Sequence, residues 1–199
     1  MELKGIQTSV HVRETETRSR MASFFLYAAI LQGAIAAVVT FFGAFGNLVG
    51  LLPVAAAYVI ASGSAGTWFT VGYLTYLIVG VVGMAVTSLF YFHIETVQGK
   101  PYKGVTRFLA WVHLLLGNIG VTGAGLLAMV GGYLGGAAMQ PRNLGGMAYN
   151  AAQVHQFILQ YYEIPIAAFI GLGLLGFLAG GLGYILAMSS KGTVVLSGQ

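Results

Sequence analysis

The chain has 199 residues, of which 57% are hydrophobic and 7% charged, with 30 glycines, no cysteine and a formal net charge of +4. A water-soluble domain carries about a quarter of its residues as Asp, Glu, Lys and Arg, so this composition excludes a soluble globular fold and places most of the chain in lipid. The missing cysteine rules out disulfides, iron–sulfur clusters and thiolate metal sites, and with five glutamates and no aspartate most carboxylate chemistry goes too.

Residues 1–20 are polar and are read as a cytoplasmic N-terminal segment. They do not resemble a cleaved signal peptide, so the span that follows is expected to be retained. A bilayer core about 30 Å thick needs roughly 20 apolar residues of helix. Four stretches meet that length, at about 21–45, 68–92, 108–135 and 165–188, each without Lys or Arg. Leu48 to Ala61 is also apolar but shorter, and it contains Pro53. It is read as a re-entrant or interfacial segment between helices 1 and 2.

Charge supports that choice. Lys4, Arg13, Arg18 and Arg20 precede the first span, Lys100, Lys103 and Arg107 separate the second from the third, and Lys191 follows the fourth. With four spans these cations share one face, and only Arg142 lies on the other. A fifth span at Leu48 would split them, against the positive-inside rule. The expected fold is therefore all-α: one integral membrane domain over residues 1–199, a four-helix bundle with both termini cytoplasmic. A prokaryotic plasma membrane fits the lack of an organelle-targeting segment. The net positive charge reads as orientation, not as affinity for nucleic acid.

Small residues mark the packing faces. Gly173, Gly176, Gly180 and Gly183 follow a helical stripe in the fourth span, and Gly117, Gly120, Ala124, Ala128 and Gly131 form another in the third. In lipid, close backbone approach at such residues replaces much of the hydrophobic drive. Both stripes predict tight helix contacts, within the bundle or with a neighbouring subunit. The sequence leaves open whether lipid or quinone contacts the apolar grooves.

Candidate chemistry rests on few groups. A membrane b-type haem needs facing imidazoles at similar depth. Of the four histidines, His11 lies in the N-terminal tail and His155 near the other face. That leaves His93, at the end of span two, and His113, about 9 Å deeper from the same face at 1.5 Å per residue. The competing reading makes His93 interfacial and His113 a hydrogen-bonded group of the interior. Asn118 and Thr122, one turn apart, are expected to bond to each other or across the bundle. Otherwise the middle of the spans reads as almost wholly Gly, Ala, Val, Leu and Phe, which argues against a channel or transporter protomer.

Upstream of the fourth span, Asn150, Gln153, Gln156, Gln160 and Glu163 recur at helical spacing. The stripe predicts that this helix begins near residue 150 and projects above the membrane. Gln153, Gln156, Gln160 and Glu163 would face water or a partner, with Tyr161 and Tyr162 as interfacial anchors. The spacing of His155 and Glu163 is not that of adjacent metal ligands at i and i+4. No phosphate-binding loop, dinucleotide fingerprint or hydrolase elbow is present.

Gly72-Tyr73-Leu74-Thr75, then Gly99-Lys100-Pro101, Trp111, the run Gly125 to Gly132, and Pro141-Arg142 resemble consecutive helices of the catalytic subunit of haem-copper oxygen and nitric-oxide reductases. The resemblance covers about Trp68 to Met188. In that family haem-ligating histidines occupy the outer third of the helix corresponding to span two, where this chain has Tyr73 and Thr75. It therefore implies a relative that kept the scaffold and lost haem and copper. The expectation is a non-catalytic accessory or scaffold subunit of a membrane-bound redox complex, holding no cofactor and partnered by other integral membrane subunits and lipids. The alternative is a small haem b anchor using His93 and His113.

Overall fold

The computed structural model describes residues 19–190. They are almost all helical, with no strand among the described residues. Four helices are long and apolar enough to cross a membrane: Arg20–Phe45, Ala65–Val97, Val105–Met139 and Ala151–Ser189. The chain is a multi-pass membrane protein. His11 and the cations at positions 4, 13, 18 and 191, used above to infer sidedness, lie outside the described residues.

Each span starts and stops for local reasons. Ser19 caps the first span, its hydroxyl accepting from the Ala22 N–H at 3.3 Å. The second span begins and ends a few residues beyond the hydropathy limits and contains two π-helical stretches, Tyr76–Gly83 and His93–Val97. Gly99, with φ at 61°, ends it by adopting the left-handed conformation that a side chain would resist. The fourth helix starts where the polar stripe indicated. Asn150 accepts from the Gln153 N–H at 2.9 Å, and the Gln153 amide oxygen accepts from the Asn150 N–H at 3.0 Å. This is a capping box. Gln153 thus engages its backbone N–H and side-chain oxygen at its own helix end.

The third span is the axis of the molecule. It packs along the fourth, along the second, and more lightly on the first, which leans mainly on the second. The predicted small-residue stripe of the third span divides between two neighbours. A Cβ on Gly120 would stand 2.3 Å from the backbone nitrogen of Gly173, and one on Gly176 only 2.4 Å from that of Gly117. Gly72 of the second span approaches Ala128 and Gly125, and Gly132 fits against the backbone of Phe69. Of the four fourth-span glycines, Gly176 and Gly180 are sterically required. Gly173 and Gly183 have ordinary clearances of 3.7 and 3.4 Å. The seam is internal, so it does not by itself point to a neighbouring subunit.

The four helices do not close into a ring. Buried positions on the first span, Met21, Ala22, Phe25, Ala29, Gln32 and Ala36, stop at Ala36. From Ala37 to Phe45 no residue is buried. Beyond that point the first and fourth spans flank an apolar cleft of about 850 Å³, floored by Met129 and Tyr133 of the third. Between the first two spans the chain makes a turn and then a short helix, Ala56–Ala61. Its Val59 is fully buried and lies against Gly136, while Tyr133 donates to the Val54 carbonyl at 2.8 Å.

Candidate functional site

One end of the bundle carries Arg20, Lys100, Lys103 and Arg107, and just inside this basic end lies His113. Its imidazole is 3% exposed and enclosed by rings. Phe25, Phe177, Tyr91 and Tyr184 have centroids 4.9, 5.7, 6.1 and 6.2 Å from it. Gly180 makes room, since a Cβ there would stand 2.1 Å from Nδ1. A stripe residue read as packing is therefore also the wall that seats an imidazole. Nδ1 pairs with the Tyr91 hydroxyl at 3.2 Å.

Three buried polar atoms in this chamber have no protein partner: His113 Nε2, Tyr102 Oη and Tyr184 Oη. Tyr102 stands on the loop before the third span. Burial, then the neighbouring Tyr184 and Glu95, hold its phenol above the ordinary value, so it remains a neutral donor. Among the described residues, the one hydrogen bond within the chamber joins Tyr91 to His113. Among the described residues, no hydrogen bond continues it toward the middle of the bundle.

The mid-span region holds a second polar group that the sequence reading missed. Gln32, 4% exposed, donates from Nε2 to Asn118 Oδ1 at 3.1 Å and to Thr122 Oγ1 at 2.6 Å. Tyr76 donates its hydroxyl to Gln32 Oε1. Asn118 spends its own amide N–H on the Leu114 carbonyl at 2.6 Å. Asn118 and Thr122 thus do bond across the bundle, as one of the two expected outcomes. The expectation of an almost wholly apolar middle is overturned. Gln32 is the one amide in the first span and falls in register with its buried small residues, a signal visible in the sequence. An unsatisfied amide in hydrocarbon is costly, so Gln32 joins three helices at once.

At the far end, the third and fourth helices run on together. Gly131 lies under Tyr162, and Gly135 lies against Val154 and Leu159. The outer surface shows His155, Gln156, Gln160 and Glu163, all exposed. His155 Nδ1 and Glu163 Oε1 meet at 3.3 Å, although their separation along a regular helix would turn them apart. The π-helical turn His155–Leu159 adds a residue to the turn, which brings eight positions close to two full turns. Both groups are about half exposed, so the pair contributes little stability.

The two histidines of the haem alternative stand in unlike surroundings. His93 is exposed at the end of the second span, whereas His113 is sealed within its rings. At the positions where the resembled family has ligands, Tyr73 is hydrogen-bonded to Thr40 at 2.7 Å and Thr75 is exposed. Among the described residues no three His, Asp or Glu side chains cluster as metal ligands. No protein-family model, curated protein or solved structure matches this chain.

Proposed function

We propose that this protein is a non-catalytic accessory or scaffold subunit of a larger membrane-bound redox complex, set in a prokaryotic plasma membrane with both termini cytoplasmic. The observation that carries this reading is the open side of the bundle. The first and fourth spans leave between them a mostly apolar cleft of about 850 Å³, and close van der Waals packing against a neighbouring helix is the main stabilisation such a face can gain in lipid. A helix from a neighbouring subunit fits such a gap.

The far-end ridge supports the same reading. The fourth helix has 39 residues, about 58 Å at 1.5 Å per residue, roughly twice the hydrocarbon thickness. Its surplus raises Gln156, Gln160 and Glu163 above the membrane as a rigid face beside the mouth of the cleft. The segment Leu48 to Ala61 lies in this reading at the outer interface, braced against the third span. The redox assignment rests on the resemblance to haem-copper reductase helices, whose ligands this chain does not reproduce.

Native mass spectrometry of the assembly drawn from its source membrane tests the proposal. The expected result is a fixed stoichiometry with larger subunits that carry haem or other redox groups. Recovery of this chain alone, monomeric and monodisperse, would overturn it.

A further inference from the structure

We propose that the basic end of the bundle contains a binding site for the phosphate of an anionic membrane lipid. Where the start of the first span, the end of the second and the entry to the third converge, a cavity of about 500 Å³ is lined by Arg20, Lys103, Arg107, Glu95, Tyr102 and Trp111. Among the described residues, three cations face one carboxylate, a local balance of +2.

That carboxylate is already engaged. Glu95 accepts from the Ser19 hydroxyl and, at 3.3 Å, from the Met21 N–H, so it closes the first helix's N-terminus instead of neutralising the cations. Among the described residues the one ion pair is His155 with Glu163, at the other end of the molecule. Among the described residues, Arg20, Lys103 and Arg107 therefore have no carboxylate within 4.0 Å. Lys100 provides the contrast. It donates to the Met188 carbonyl at the end of the fourth helix, a favourable place for a cation, and takes no part in the cavity.

The occupant's chemistry follows from depth and lining. The cavity lies at the level where the first and third spans begin, which is where lipid phosphates lie. Two guanidinium forks and an ammonium suit phosphate oxygens. One turn deeper, Phe24 and Trp111 pack with centroids 5.0 Å apart. Phe24 is 40% exposed, so this aromatic pair opens toward the acyl region. Free phosphate would satisfy the cations but leave that floor unused, whereas a lipid uses both.

The full chain in neutral detergent is titrated with phosphatidylglycerol, phosphatidylcholine and inorganic phosphate, and retained ligand is counted by native mass spectrometry. One phosphatidylglycerol should be held with roughly tenfold or greater preference over phosphatidylcholine. Arg107→Gln with Lys103→Gln should abolish the preference, and Lys100→Gln should leave it intact. If the double variant proves unstable, the single Arg20→Gln substitution should lower the preference on its own. Equal retention by wild type and the Arg107→Gln with Lys103→Gln or Arg20→Gln variants would overturn the proposal, and so would displacement of the lipid by an equimolar amount of inorganic phosphate.

Discussion

Gln32 shows how much one polar side chain can organise when its surroundings are apolar. In water its amide would exchange partners freely; between helices it has only Tyr76, Asn118 and Thr122. Hydrogen bonds between membrane helices are individually modest, because the separated helices also find partners. Gln32→Leu removes three at once and leaves their far ends buried. We expect it to lower stability by about 1–2 kcal/mol, read from reversible unfolding in mixed micelles. In a Gln32→Leu background, Asn118→Leu should then cost much less than it does alone, since the two share one network. Additive losses would separate the residues and remove the network from the account.

Glycine at the element scale is a question of where a backbone, and not a side chain, stands opposite. Gly120 and Gly176 each face backbone atoms within 2.5 Å of a notional Cβ, and such neighbours cannot rotate away. Gly120→Ala and Gly176→Ala should each destabilise the third and fourth span pair by about 1–3 kcal/mol, measured by the same unfolding assay. Gly173→Ala and Gly183→Ala should be nearly neutral, although all four fourth-span glycines look alike in sequence. Gly180→Ala belongs with the costly group for another reason: it displaces His113 and breaks its bond to Tyr91, which near-ultraviolet circular dichroism of the tyrosines should register. Equal tolerance across the stripe would mean that the helices sit farther apart than described. The stripe was legible because small residues recur at helical period; which members matter was not, because that depends on the azimuth of a different helix. The π-helical turns were illegible for a related reason, since hydropathy period does not register one inserted residue. Their consequence is the His155–Glu163 pairing, which regular helical geometry forbids.

For the whole molecule, the absence of cysteine from the chain makes sidedness directly measurable. Single cysteines placed by Gln160→Cys and Ser190→Cys stand at opposite ends of the fourth helix. In intact cells or right-side-out vesicles, a membrane-impermeant maleimide should label the first and spare the second until the membrane is opened. Labelling of Ser190→Cys in sealed vesicles would invert the orientation inferred from the cations. The first span leans mainly on the second; its buried register ends at Ala36, and beyond it Phe41, Phe42 and Phe45 pack on one another.

Composition and run length determined the environment, the helical class and four helices long and apolar enough to cross a membrane, because the bilayer demands about 20 apolar residues per span and internal satisfaction of every backbone group. Local chemistry also determined the start of the fourth helix, through an Asn and a Gln three residues apart. Only the tertiary structure decided which glycines touch backbone, that Gln32 ties three helices together, that His113 is sealed within rings while His93 is exposed, and that the first and fourth spans leave a cleft. Each of these depends on the rotation of one helix about its axis relative to another, and in a chain whose faces are almost uniformly apolar, hydropathy does not specify that rotation.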